Sequence, residues 1–157
     1  MKEKIVIRQA TASDISSIAS FNQAMALETE AKELSTEVIT GGVTRMMEQP
    51  ALGFYLVAEI EGPGTDVEIC GCLGITYEWS DWRNGLFWWI QSVFVTQSQR
   101  RKGVFAELYR HVEVLAKKQE DVCGIRLYVE RTNNNAQKTY HGLGMIETEY
   151  NLLEVEF

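Results

Sequence analysis

Three consecutive cations, Arg100, Arg101 and Lys102, stand directly before Gly103 in the stretch Gln-Arg-Arg-Lys-Gly-Val-Phe-Ala at residues 99–106. The stretch joins a predicted strand to a predicted helix, where cations oppose the positive end of the helix dipole. A bound polyanion would resolve this conflict, because free backbone N–H groups and cations bind phosphate and a glycine permits close approach. The alternative is a solvated basic turn. The spacing Gly-x-x-x-x-Gly-Lys-Ser/Thr of a P-loop is absent.

A second motif lies at residues 129–145 and begins with Val-Glu-Arg-Thr-Asn-Asn-Asn-Ala. Asn133 can cap a helix, on which Ala136, Tyr140 and Leu143 share one face at offsets of four and three. A tyrosine on such a face is either a core aromatic with a satisfied hydroxyl or a group that contacts a ligand. This motif alone leaves both interpretations open.

In this order and spacing, the two motifs resemble the acyl-CoA signature of the GNAT superfamily of N-acetyltransferases. The first resembles its pyrophosphate loop, Gln/Arg-x-x-Gly-x-Gly/Ala, with Arg100 and Gly103 in the fixed places. The second resembles its Asn-x-x-Ala-x-x-x-Tyr helix at Asn133, Ala136 and Tyr140. The resemblance extends to some features of polyamine-type members.

The resemblance implies acetyl transfer from acetyl-CoA to a primary amine, without a metal. Direct attack in a ternary complex is preferred, because the one cysteine near the motifs, Cys123, precedes the predicted strand at residues 125–129 and is misplaced for a nucleophile. Tyr140 would lie beside the sulfur and protonate the departing thiolate, which its ordinary pKa near 10 allows at neutral pH. Phe105 replaces a small residue of the family pattern, which affects side-chain packing more than binding through backbone N–H groups. The acyl-CoA contacts implied are Val93, Phe94, Val95, Arg100, Arg101, Lys102, Gly103, Val104, Phe105, Ala106, Asn133 and Ala136.

The general base is a separate question, because Gln91 stands where polyamine-type members commonly have a Glu and it cannot take a proton. A two-residue turn at Asn84-Gly85 would place Glu78 directly opposite Gln91, about 5 Å away on the same face. Glu78 could then hold or deprotonate the amine. The pair could instead only stabilise the sheet, and a register shifted by one would turn Glu78 to the other face.

The candidate acceptor residues are Glu28, Glu30 and Trp89. The two glutamates follow the first predicted helix, in the region that lines the acceptor pocket of GNAT proteins, although a solvated acidic turn would look the same. Trp89 is one of four tryptophans, which either pack in a core or dimer interface or attract a cation. We expect a small cationic amine or amino-acid derivative as acceptor. A protein amine, or a non-catalytic acyl-CoA-binding module, is the alternative.

Composition narrows the class of protein. The 157 residues suit one domain spanning 1–157, and the net charge of −7, from 15 Lys+Arg and 22 Asp+Glu, disfavours nucleic-acid binding. No apolar run approaches the ~18 residues of a membrane span. The start of the chain lacks a signal-peptide core, and three cysteines indicate reduced, buried thiols, which together predict a cytoplasmic protein. The tryptophan-rich hairpin and the family resemblance favour a homodimer.

The elements that must position these residues alternate in a pattern typical of an α/β protein. The predicted order is a strand, two helices, a three-stranded meander and a β-α-β-α-β tail. This order predicts a mixed central sheet flanked by helices, with a parallel crossover after residues 86–95. It matches the GNAT fold with its β-α-β acyl-CoA-binding core. Strands are predicted at residues 4–10, 54–59, 67–77, 77–82, 86–95, 125–129 and 145–157, and helices from residue 15, from 35 to before 50, at 103–119 and at 133–143.

Overall fold

The computed structural model describes residues 3–62, 64 and 66–157 of the chain. It divides into two units, Met1–Leu127 and Tyr128–Phe157, which are described separately. The turn predicted at residues 62–66 includes Pro63 and Thr65, which lie outside the described residues.

One mixed sheet forms the frame of the first unit. Its strands pair in chain order, antiparallel from the first to the fourth, whereas the fourth and fifth are parallel. The predicted α/β class and the parallel crossover are therefore confirmed. The strands are β1 (Lys4–Gln9), β2 (Gly53–Glu61), β3 (Val67–Ser80), β4 (Gly85–Val95) and β5 (Val122–Leu127).

Helices cover both faces of this sheet. Helices α1 (Ile15–Glu30) and α2 (Thr36–Glu48) pack on one face. Helix α3 (Val104–Lys117) lies in the β4–β5 crossover on the other face, where a Cβ added at Gly71 would meet Val104 at 3.5 Å. Neighbouring strand residues point to opposite faces, and Cys72 packs in the α1–α2 core. That core consists of Ile18, Val43, Tyr55, Val57, Cys72 and Phe94.

A buried ion pair ties the first strand to the turn that starts α1. The Asp14 carboxylate is 2% exposed, and it accepts hydrogen bonds from Arg8 Nη1 at 2.7 Å and from the Thr11 backbone N–H at 2.7 Å. Arg8 Nε also donates to Glu59 Oε1 at 2.6 Å on β2. The hydrogen bond from Arg8 holds the pKa of Asp14 below its ordinary value, against the opposing effect of burial.

The second unit contains helix α4 (Asn134–Gly142), close to the predicted bounds. Asn133 caps it as expected, since Asn133 Oδ1 accepts from the Ala136 backbone N–H at 3.1 Å. Gly144 follows with a φ of 92°, a conformation that favours glycine.

The prediction of a strand at residues 145–157 is wrong. No strand forms there, and side chains such as Leu153 (91% exposed) and Phe157 lie in solvent. Alternation of apolar and polar residues marks a potential strand face, but a strand also needs a hydrogen-bonded neighbour, and none pairs with this part of the described chain.

Cys70 and Cys72 are buried as predicted, whereas Cys123 is exposed. No helix within the described residues is long and apolar enough to cross a bilayer. Within the same residues, no group of three or more His, Cys, Asp or Glu side chains is arranged to hold a metal ion.

Replacing Asp14 by Asn is expected to lower the free energy of unfolding by about 3 kcal/mol at pH 7, because Arg8 loses its buried charged partner. The pKa of Asp14 is lowered in the folded state, so its contribution is present above about pH 4 and disappears as the pH falls through the folded-state pKa. Urea unfolding of both proteins at pH 7 and pH 3 therefore should show a smaller difference in acid.

The control is Glu61→Gln, which breaks the exposed Lys4–Glu61 pair of 3.0 Å and should cost less than about 1 kcal/mol. Equal losses for Asp14→Asn and Glu61→Gln, or a difference that does not shrink at pH 3, would contradict this account of the ion pair.

Candidate active site

Strand β4 extends past the end of its parallel neighbour. Its pairing with β5 stops at Ile90–Leu127, whereas its pairing with β3 continues to Val95–Gly71. On the β5 side, residues 91–95 have no strand partner within the described chain. An open strand edge offers backbone N–H and C=O groups to an extended ligand. The predicted acyl-CoA residues Val93, Phe94 and Val95 lie on this edge.

A β-bulge interrupts the pairing of the same part of β4 with β3. Between the pairs Cys72–Phe94 and Gly74–Gln91, β4 has one residue more than β3, and Ser92 adopts a φ of 52°. Cys72 Sγ donates to the Ser92 carbonyl at 3.5 Å. Burial raises the pKa of the Cys72 thiol to about 12, so this group stays protonated and is a poor nucleophile.

The loop after β4 leads to an open helix N-terminus. Gly103 has a φ of 90°, and a Cβ added there would meet nothing within 4 Å. No side chain caps α3, and the backbone N–H groups of its first turn lie at the positive end of the helix dipole. Both features suit a phosphate approaching the backbone.

Acidic side chains hold two of the loop cations. Arg100 Nη2 contacts Glu28 Oε2 at 2.7 Å, and Arg100 Nε donates to the Val95 carbonyl at 2.9 Å. Lys102 Nζ lies 3.6 Å from Glu3 Oε2. Glu28, which the sequence proposes as an acceptor residue, is therefore bound to the loop. Arg101 is exposed with a φ of 63°. Glu30 is exposed at the end of α1.

The predicted hairpin register is wrong. Ser80 pairs with Gly85, so residues 81–84 form a four-residue loop, in which Asp81 Oδ1 accepts from the Trp82 N–H at 2.9 Å. This local hydrogen bond of Asp81 favours the four-residue loop over the two-residue turn predicted at Asn84-Gly85. Glu78 consequently pairs with Phe87.

Glu78 and Gln91 still share a face, but they are not opposite each other. Gln91 pairs with Gly74 and lies four residues from Phe87, roughly 13 Å along the strand. Its Nε2 donates to Thr76 Oγ1 at 3.3 Å, which gives this half-buried amide a partner. The predicted direct Glu78–Gln91 contact is therefore absent.

Glu78 instead pairs with Arg126 of β5, which the sequence reasoning missed. Arg126 Nη1 donates to Glu78 Oε1 at 2.5 Å, and the guanidinium lies over the Phe87 ring, 3.5 Å from its centroid. In the register, Arg126 pairs with Trp89 and Trp89 with Thr76. A lone arginine in an otherwise apolar strand was the available signal. This polar row, Thr76, Glu78, Trp89, Gln91 and Arg126, is half-buried on the face opposite α3.

In the second unit, Tyr140 lies on α4 and is half-buried. Desolvation raises the pKa of its phenol above the ordinary value of 10, so the group is protonated at neutral pH. The Asn133 side chain is engaged in capping α4, and Ala136 supplies the N–H that it accepts from.

The sequence profile of the acetyltransferase (GNAT) family matches residues 20–145. The chain is similar to the structure of a possible acetyltransferase from Clostridium difficile 630, with 44% identity, a TM-score of 0.88, and 98% and 97% of the two chains covered. No curated protein sequence matches it.

Two more distant structures share the fold. A predicted acetyltransferase with acetyl-CoA from Clostridium acetobutylicum has 18% identity and a TM-score of 0.75, with 98% of this chain and 96% of that chain covered. Glucosamine-6-phosphate N-acetyltransferase from Arabidopsis thaliana has 17% identity and a TM-score of 0.71, with 98% and 99% covered.

Replacement of Gly124 by Ala tests the packing behind the polar row. A Cβ there would lie 2.7 Å from Phe87 Cε1, so the ring that supports Arg126 must move. We expect a loss of about 1–3 kcal/mol in the free energy of unfolding, measured in urea.

Gly41→Ala is the matched control, because a Cβ in this helical position meets nothing within 4 Å and should stabilise the protein by about 0.5–1 kcal/mol. A neutral or stabilising effect of Gly124→Ala would show that the Phe87 ring is not held against β5.

Proposed function

The chain belongs to the acetyltransferase (GNAT) family and is an acetyl-CoA-dependent acetyltransferase, and we propose that its acceptor is the primary amine of a small molecule. The small-amine acceptor comes from the sequence interpretation, whereas the observation that supports acetyl-CoA binding is the open edge of β4 at residues 91–95, which leads through the loop at residues 96–103 to the N-terminus of α3. The edge of β4 can hydrogen-bond the amides of the pantetheine arm, and the N-terminus of α3 can bind the phosphates of CoA.

The proposed binding mode carries the contacts implied by the family resemblance onto this geometry. The backbone of Val93 and Val95 binds the pantetheine amides, and the N–H groups of residues 104–106 bind the pyrophosphate. Gly103 keeps the approach clear of a side chain. Arg100 orders the loop through Glu28 and the Val95 carbonyl, and its guanidinium adds positive charge. The bound thioester supplies the acetyl group.

We propose direct transfer. The neutral amine attacks the thioester carbonyl, a C–N bond forms, the C–S bond breaks, and Tyr140 donates its proton to the departing thiolate. The proton that the nitrogen loses as the amide forms passes through solvent and restores the Tyr140 phenol. The raised pKa of Tyr140 supports this role, since the phenol holds its proton at the pH at which amines react. The raised pKa of Cys72 argues against a thiol intermediate on that residue. Assignment of Tyr140 rests on the family resemblance.

Asn133 and Ala136 are proposed to contact the pantetheine arm on the basis of the resemblance. Glu78 is proposed to hold an amine, since the structure gives it a fixed position beside Arg126. A homodimer and a cytoplasmic location stay predictions from the sequence.

Tyr140→Phe tests the transfer mechanism. The variant should lower kcat for thioester consumption by about a hundredfold or more, because it removes the proton donor while leaving acetyl-CoA binding unchanged. Release of free CoA thiol, measured over a panel of small amines and a lysine-containing peptide, gives the rate. In the wild type, activity should rise with pH as the amine loses its proton, and fall only above pH 10, where Tyr140 ionises.

Tyr150→Phe is the matched control, because Tyr150 is 78% exposed in the same unit, and it should change neither rate nor binding. Unchanged turnover in Tyr140→Phe would remove the acid role. Absence of thioester consumption with every amine would overturn the small-amine proposal itself.

A further inference from the structure

The Glu78–Arg126 pair lies where an ion pair contributes little to stability. The Arg126 side chain is 26% exposed and the Glu78 side chain 44% exposed, and they meet across β4, since Glu78 is on β3 and Arg126 on β5 of a sheet whose centre is apolar. An ion pair of this exposure typically adds at most about 1 kcal/mol to the free energy of unfolding, and the partial burial of its two charges has a desolvation cost. Charged groups that break the apolar pattern of a sheet without a stability gain are expected at functional positions.

The geometry of Arg126 is that of a fixed binding group. Its guanidinium stacks 3.5 Å from the centroid of Phe87, and the Phe87 ring in turn lies against Gly124, where a Cβ would come within 2.7 Å of the ring. Stacking fixes the plane of the guanidinium, and its bond to Glu78 uses one of five N–H donors. A planar cation with donors to spare recognises a carboxylate through two parallel hydrogen bonds.

The pair also stands at a defined distance from the open edge of β4. Arg126 is in register with Trp89, and the free edge begins two residues later at Gln91, roughly 7 Å along the strand. An acceptor whose charged head contacts Arg126 and Glu78 would thus present an amine several bonds away to the thioester. A side chain of three or four methylene groups spans that distance.

We propose that Glu78 and Arg126 form a subsite for the zwitterionic head of a basic amino acid, and that the acetyl group goes to its side-chain amine. The α-carboxylate binds the free N–H groups of Arg126, and the α-ammonium binds Glu78. Opposite charges on the protein thus match opposite charges on the ligand. This inference rests on the proposed function and narrows the acceptor from small amines in general to amines that carry an amino-acid head.

L-lysine and cadaverine form a matched pair of probes, because they differ only in the carboxylate. The subsite predicts that kcat/KM for L-lysine exceeds that for cadaverine by about tenfold or more, the size of a charge-assisted bidentate contact. 6-Aminohexanoate, which keeps the carboxylate but lacks the α-ammonium, should fall between them. Mass spectrometry should place the acetyl group of the lysine product on Nε.

Substitutions of Arg126 and Glu78 test whether this subsite causes the preference for L-lysine. Arg126→Gln should abolish the preference for L-lysine over cadaverine while KM for acetyl-CoA stays the same, and Arg126→Lys should restore part of it. Glu78→Gln should abolish the preference for L-lysine over 6-aminohexanoate. Arg83→Gln is the control, because Arg83 is also a cation over the Phe87 ring, 4.9 Å from its centroid, but belongs to the hairpin loop. It should leave both preferences intact.

Calorimetric titration of L-lysine into protein saturated with CoA gives a readout that does not need turnover. Binding in the wild type, lost in Arg126→Gln and kept in Arg83→Gln, supports the subsite. Absence of lysine binding, equal kcat/KM for L-lysine and cadaverine, or an equal loss for both probes in Arg126→Gln would overturn it. Turnover of cadaverine without any preference leaves small-amine acetylation standing, whereas no thioester consumption with any amine contradicts the proposed function.

Discussion

The hydrogen bonding of β4 is the constraint on which the rest of the molecule depends. On one side this strand is paired with β3 to its last residue, whereas on the other side pairing with β5 ends at Ile90–Leu127. Buried backbone groups need partners, so a strand left half-paired is stable only where water or a ligand reaches it. The bulge at Ser92 increases the local bend of the strand. The open edge is therefore built into the sheet.

The positions of several cationic side chains are also fixed by contacts within this acidic protein. Three cations of the proposed binding sites are held by carboxylates from distant parts of the sequence: Arg100 by Glu28, Lys102 by Glu3 and Arg126 by Glu78. Each pairing orders a long side chain without removing all of its hydrogen-bond donors. An anion bound at these proposed sites would meet cations that are already in place, which reduces the entropy lost on binding.

The sequence predicts the features that depend on local patterns. The apolar run at residues 86–95 predicts a central strand, Asn133 a helix cap, and Gly103 a helix start, and all three are found. The register of the β3–β4 hairpin differs from the prediction because it is set by the four-residue turn at Asp81, and it then runs unbroken from Ser80–Gly85 to Gly74–Gln91.

The Arg126–Glu78 contact could not be predicted for a related reason, since it joins residues 48 positions apart through two strand pairings. Alternation at residues 145–157 predicted a strand that the structure lacks, because periodicity describes a face and does not supply a partner. Short-range spacing thus predicted local elements such as the α3 start and the α4 cap, whereas long-range register decided which side chains of the sheet meet.

Amide hydrogen exchange with and without acetyl-CoA tests the central claim most directly, because it reports on individual backbone groups of the open edge. The account predicts that acetyl-CoA slows exchange at residues 93–95 and 104–106, while amides of β2, which is paired on both sides, keep their rates. Exchange that is unchanged at those residues, or that slows uniformly across the sheet, would contradict binding at the β4 edge and the start of α3.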